Sequence, residues 1–328
     1  MNRFTKQLLP FCSLIFIFSL CTFLDPDHFL STTNLIDVLC RSAVNGIMAA
    51  GMTYVIITGG IDLSVGSMLA MCGMIGAASM LFFAGGSWDV ISSGSRPIPM
   101  GFLAMFGGTL VSIAVGALCG FANGMLITRL KLAPFIVTLG TMSIFRGISL
   151  LTNSGQNFKI KSYTWLDKGD VLGIPSSIIL VVIIMAAAGF LLKHTRFGRY
   201  TYAIGSNTQT AFHAGINVNK TLVCIYTLTG ALVGLAAMII ASRATTADPT
   251  AGDALELDII AAAIIGGCAP SGGRGTMLGT VIGTLLIAFI RNGLNMLHIS
   301  PNVQLVVIGL IIIVAVTADQ FATRRKAT

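Results

Sequence analysis

Residues 97–128 read PIPMGFLAMFGGTLVSIAVGALCGFANGMLIT, a stretch with no charged side chain at any position. About 20 apolar residues in a helix cross a hydrocarbon core of about 30 Å, so this run is long enough to span with room to tilt or break. Working outward, residues 7–24, 42–61, 63–88, 171–192, 221–242 and 292–318 are uncharged as well. Over the whole chain of 328 residues, hydrophobic side chains make up 55% and charged ones 10%, with 37 glycines and a mean hydropathy of +0.88. A soluble chain carries about 25% charged residues, so there is too little charge here to coat a water-facing surface. In lipid the backbone must satisfy its own hydrogen bonds, which makes each run a helix. The expected fold is therefore all-α and polytopic, a single transmembrane domain over 1–328 embedded in the lipid bilayer.

Turn residues and charges mark the helix ends and give about ten spans: 8–24, 43–59, 66–84, 100–128, 134–152, 176–193, 220–241, 257–268, 275–292 and 302–318. With the N-terminus inside, 12 of the 20 basic residues fall on the cytoplasmic side and six outside. That bias follows the positive-inside rule and places both termini in the cytoplasm. Asn123-Gly124 before Pro134 and Asn292-Gly293 before Pro301 echo each other at about half the chain length. Two halves of five helices each would be inverted relative to one another, because five is odd, and transporters often have such repeats.

The net charge of +8 comes from scattered residues rather than a basic patch, so nucleic acid is not expected as a partner. Seven cysteines, an odd number without a C-x-x-C pair, sit almost entirely in apolar runs and read as small filler. The four histidines lack metal-ligand spacing, so neither a metal nor a cofactor is expected. No nucleophile constellation is visible, so no catalytic residue is assigned and the chain reads as a transport subunit rather than an enzyme. No carboxylate is expected inside a span, which removes the usual machinery of proton or sodium coupling. The phosphate-cradling G-x-x-x-x-G-K-[ST] loop is missing too, so a pump built on this chain needs its motor on another chain.

Candidate functional residues fall into two groups. The polar segment 193–220 is too hydrophilic to span and is expected to lie on the cytoplasmic face as a coupling loop with one or two helical turns. Asn207 caps the turn, Ala211 and Ala214 favour it, Gly215 ends it, and Phe212 is presented for docking. The second group is polar residues within or beside the spans, namely Asn45, Asp62, Asn123, Arg146, Asn292, Asn295 and Gln304, which could line a hydrated path. Gly116, Gly120, Gly124 and Gly275, Gly279, Gly283 recur every four residues and make smooth faces for close helix packing.

The stretches GIDLSVGS at 60–67, PFIVTLGT at 134–141, TRFGRYTYAIGSN at 195–207, AGINV at 214–218, PTAG at 249–252, ELDIIAAAIIGG at 256–267 and NGLNML at 292–297 resemble the ribose-type permease subunits of bacterial ABC sugar importers. The resemblance implies an inner-membrane permease working as a homodimer, with a cytoplasmic ATP-binding subunit and a periplasmic sugar-binding protein as partners. It also implies that 193–220, with Asn207, Ala211, Phe212, Ala214, Gly215 and Ile216, meets the ATPase. Thr208-Gln209-Thr210 departs from the family's Glu-Ala-Ala-like start, and Cys268-Ala269-Pro270 departs before the glycine turn. A neutral sugar needs no charged site, so Asn, Gln, Ser and Thr can pass it. Acidic residues outside, Asp167, Asp170, Asp248, Asp253 and Glu256, are expected to dock basic patches of the binding protein. The alternative reading is a stand-alone facilitator or secondary carrier for a small polar solute. A branched-chain amino acid permease would share the fold in outline, and GIDLSVGS favours the sugar branch.

Overall fold

A computed structural model describes residues 3–88 and 100–324. Its helices are α1 (Arg3–Leu24), α2 (Pro26–Phe29), α3 (Thr32–Ile57), α4 (Val65–Phe83), α5 (Phe102–Arg129), α6 (Pro134–Thr152), α7 (Trp165–Lys168), α8 (Ser176–His194), α9 (Arg196–Ser206), α10 (Thr208–His213), α11 (Val218–Ala244), α12 (Leu255–Ile265), α13 (Met277–Met296) and α14 (Pro301–Arg324). Among the described residues seven helices are long and apolar enough to cross a membrane: α3, α4, α5, α6, α8, α11 and α13. Shorter apolar stretches occupy 11–23 of α1 and 301–314 of α14.

Helix ends follow local chemistry. Pro134 opens α6 where its missing N–H costs nothing. Ser31 caps α3 by accepting from Asn34 N at 3.3 Å. The helix α3 begins eleven residues before the expected 43, because its charged first turns extend past the uncharged run. At 11 residues α12 is too short to span, and the chain turns at Gly267, whose φ of +96° favours glycine. The only strands among the described residues are two-residue pairs: β1 (Phe158–Lys159) antiparallel to β4 (Thr246–Ala247), and β2 (Asp170–Val171) antiparallel to β3 (Ile174–Pro175).

The chain forms two compact units. One comprises 61–182 and 219–256, the other 1–60, 183–218 and 257–328. Neither coincides with a sequential half, since each draws on both halves of the chain.

In the first unit α4 packs on α5 and α6, and α5 lies against α11. A Cβ at Gly116 would strike the Gly230 carbonyl, and one at Gly120 the Tyr226 carbonyl. The two backbones touch, as a small-residue face permits. Ser112 Oγ then donates to Gly234 O at 2.8 Å across the same seam.

In the second unit α13 packs on α3 and α1. Gly283 seats the backbone of α12 at Ala262, and Gly279 seats Gly266 just beyond its end. Gly275, expected in the same helical stripe, lies before α13 begins and packs on Cys268 and Ile57, because Thr276 caps the helix behind it. The segment expected to hold one or two turns contains the whole of α9 as well as α10. Gly198, Thr201 and Ile204 are the buried face of α9, and Tyr202 Oη donates to Gly275 O at 2.8 Å. Beside it the tight Gly272-Gly273 turn, at φ +84° and +73°, brings Gly273 N to Ile57 O at 2.8 Å.

Candidate functional site

The GIDLSVGS stretch forms the non-helical entry to α4. Asp62 sits two residues before the cap position Ser64 and accepts from Ser64 N at 2.9 Å and Ser64 Oγ at 2.6 Å. Asn123 on α5 donates Nδ2 to Ser64 Oγ at 2.9 Å. All three are buried. Burial pushes the Asp62 carboxyl above its ordinary value, while hydrogen bonds from Ser64 and Asn123 pull the other way.

Arg146 lies on α6, where an unpaired guanidinium would cost about 2.5–3.5 kcal/mol in lipid. It is not unpaired: Nη1 donates to Pro249 O at 2.7 Å and Ala251 O at 3.2 Å, and Nη2 meets the Asp253 carboxylate. Ser149, one turn on, donates to the same Pro249 carbonyl at 3.0 Å. Two residues on one helix face therefore hold the 249–253 loop that leads into α12. On the opposite side of this loop Gly252 packs against Gly66 of α4, with no room for a Cβ at either.

In the other unit Asn292 and Asn34 exchange amide bonds of 2.8 and 3.2 Å. Gln304 Nε2 donates to Asn295 Oδ1 at 2.8 Å and to Ile299 O at 2.9 Å, joining α13 to α14 across their turn. Asn45 is half-buried in α3. Of the seven polar residues picked out by sequence, Asp62 and Asn123 meet through Ser64 and Asn295 bonds Gln304 directly, while Arg146 and Asn292 take partners outside the set.

The expectation that no carboxylate lies within the apolar runs does not hold, since the expected span 257–268 includes Asp258. Asp258 lies in α12, fully enclosed, and accepts from Arg291 Nε at 2.6 Å and Nη2 at 2.8 Å. Likewise Asp167 and Glu256 are buried rather than displayed for docking. Asp167 is held by Arg243 through bonds of 3.0 and 2.7 Å, with the guanidinium clamping both carboxylate oxygens. Asp170 and Asp253 remain exposed, and Asp248 is half-buried. Sequence reasoning also passed over Asn34, which falls before the expected span, and the fully buried Tyr226. An arginine written into an apolar run, as at 291, is the mark that pointed to a buried carboxylate partner.

On the 193–220 segment, Asn207 accepts from Thr210 N at 2.9 Å and opens α10, and Gly215 at φ +80° closes it. Ala211 is buried, Ile216 is half-buried, and Ala214 is exposed. Phe212 is 67% exposed, an apolar ring on an otherwise polar surface.

Residues 34–316 match the family model described as branched-chain amino acid transport system / permease component. Among curated relatives, the ribose import permease protein RbsC of Bacillus subtilis is 42% identical, covering 96% of this chain and 93% of its own. RbsC of Haemophilus influenzae is 39% identical over 99% and 96% respectively. The D-allose transport system permease protein AlsC of Escherichia coli is 38% identical over 92% and 87%. No solved structure matches the chain. The match over most of the chain, on a helical architecture whose described residues include seven helices long and apolar enough to span, places this protein in the branched-chain amino acid transport system permease family, as a multi-pass membrane permease.

Proposed function

We propose that this chain is the membrane-spanning subunit of an ATP-driven, binding-protein-dependent importer of a monosaccharide, ribose or a close analogue. The observation that carries the reading is the near full-length identity to permeases named for ribose and allose import. ATP hydrolysis belongs to a separate cytoplasmic subunit, and a periplasmic sugar-binding protein delivers the substrate. The chain works as a homodimer in the bacterial inner membrane, with both termini cytoplasmic.

The segment 193–220 is the coupling element. Its exposed Phe212, set on the short helix between the Asn207 cap and the Gly215 stop, enters a cleft of the ATPase, with Ala211, Ala214 and Ile216 shaping the helix around it. ATP binding draws two such elements together, and hydrolysis releases them. Asn45, Asp62, Asn123, Arg146, Asn292, Asn295 and Gln304 supply the polar environment of the path, a set suited to a neutral polyol that needs hydrogen bonds and no counter-charge.

The test is uptake of labelled pentoses and hexoses into vesicles carrying this chain, with and without a matched ATPase and binding protein. Uptake that requires both partners and ATP supports the importer. Uptake by the chain alone establishes the facilitator in its place. Phe212→Ala is expected to reduce transport and binding-protein-stimulated ATP hydrolysis about tenfold or more while leaving the fold intact, as loss of a central aromatic anchor does at an interface.

A further inference from the structure

Three buried side-chain oxygens in the first unit have no hydrogen-bond partner: Asp62 Oδ2, Asn123 Oδ1 and Tyr226 Oη. They come from three elements, the entry to α4, α5 and α11. Asn123 is tied to the Asp62 turn through Ser64. Tyr226 packs its carbonyl against Gly120 and its Cβ against Gly124, on either side of Asn123 along α5. Each of the three residues is at most 1% exposed.

Buried polar atoms are rarely left unpaired, and an unpaired buried charge is more costly still. Asn123 Oδ1 can only accept, and so can Asp62 Oδ2 whenever its carboxyl is ionised. No Lys or Arg forms an ion pair with Asp62 among the described residues, in contrast to Asp167, Asp253 and Asp258, each of which holds an arginine. The cluster lacks positive charge and offers only oxygen, the donor class that hard cations take. A single carboxylate is too little for calcium, which gathers six to eight oxygens. The non-helical backbone before α4 is the type of segment that accompanies sodium sites in membrane carriers.

We infer that Asp62, Asn123 and Tyr226 enclose a monovalent-cation site, filled by sodium, that ties the entry of α4 to α5 and α11. The site draws on Asp62 and Asn123, two residues that the sugar-import reading places beside the path, and its test reads stability rather than uptake, so either reading can fail without the other. It requires no movement of the ion with substrate, and it accounts for a buried carboxylate at this turn that, unlike Asp167 and Asp258, holds no arginine.

The full-length chain, purified and reconstituted in phospholipid nanodiscs, is unfolded by heat at fixed pH in NaCl, KCl and choline chloride of equal ionic strength. The expected result is a saturable rise in Tm of about 2–4 °C in NaCl over choline. An equal rise in KCl overturns the assignment to sodium. Asp62→Asn keeps the shape and removes the charge, and is expected to abolish the rise. Tyr226→Phe removes one ligand and is expected to raise the half-saturating sodium concentration at least threefold. Asn123→Asp retains an oxygen ligand and keeps the response. The same Tm in all three salts overturns the proposal, leaving water or a carboxyl proton as the occupant, and so does an undiminished rise in Asp62→Asn. Should Asp62→Asn fail to fold, the wild-type salt series and Tyr226→Phe still decide.

Discussion

Arg291 holds Asp258 by two parallel hydrogen bonds, 2.6 and 2.8 Å long, with the carboxylate fully enclosed and the guanidinium side chain 28% exposed. The two partners are not equivalent. Removing the arginine strands a buried charge, whereas removing the acid leaves a cation that can still reach polar surroundings. Arg291→Met is therefore expected to destabilise the chain by about 3 kcal/mol and Asp258→Asn by about half that. Thermal unfolding of the two variants in nanodiscs measures the order. An equal or reversed order means that the pair is not held as the geometry requires.

The seam between α5 and α11 yields a prediction with an internal control. Gly120→Ala would drive a methyl into the Tyr226 carbonyl, and helix backbones cannot yield without separating. A cost of about 1–3 kcal/mol is expected. Gly140 lies in the middle of α6 with open space where its Cβ would point, and Gly140→Ala is expected to stay within about 0.5 kcal/mol. If both variants unfold at the wild-type temperature, the seam is not close-packed.

Membrane class and helix positions were legible in the sequence because apolar run length is a local property. Pro134 fixed the start of α6 at the residue expected, and Asn207 and Gly215 announced the ends of α10 by the chemistry of caps. Helix α3 was placed too late, since Asp37 and Arg41 read as a boundary although a helix can run on past the apolar layer. The pairings were not legible. Asp258 and Arg291 stand 33 residues apart, and Asn34 and Asn292 stand 258 apart. Only the fold decides which polar residue in an apolar sequence meets which. The same limit hid Asp167 and Glu256, two of five acids that look alike in sequence, one clamped by Arg243 and both buried.

Asp25 and His28, at the turn that holds α2, form an exposed pair with Nδ1 to Oδ1 at 2.9 Å. The hydrogen bond to Asp25 holds the imidazole above its ordinary value of 6.5, and the bond from His28 holds the Asp25 carboxyl below its usual range. The raised histidine contributes below its unfolded pKa and loses its part as pH rises through the folded one. The lowered acid contributes above its unfolded pKa and loses its part as pH falls through the folded one. The pair is thus charged on both sides between the lowered acid value and the raised imidazole value. Asp25→Asn is expected to move the His28 midpoint back toward 6.5, read from its ring resonances by NMR. An unchanged midpoint would show that the pair does not persist in solution.

Arg146 offers the sharpest test of the loop that enters α12. Its planar fork addresses two carbonyls and a carboxylate at once, an arrangement that the single ammonium of lysine cannot reproduce. Losing a charged hydrogen bond costs about 1.5–3 kcal/mol, so Arg146→Ala is expected to raise amide exchange over 248–254 by tenfold or more. Arg146→Lys should fall between wild type and alanine. Ser149→Ala removes only the second donor on Pro249 O and is expected to cost about 1 kcal/mol, with a correspondingly smaller rise. The effect should be confined to this loop, since α6 keeps its packing on α4 through other residues. Exchange that rises equally over α6 itself would assign Arg146 to holding the helix in place rather than the loop, and exchange that does not rise at all would remove the grip.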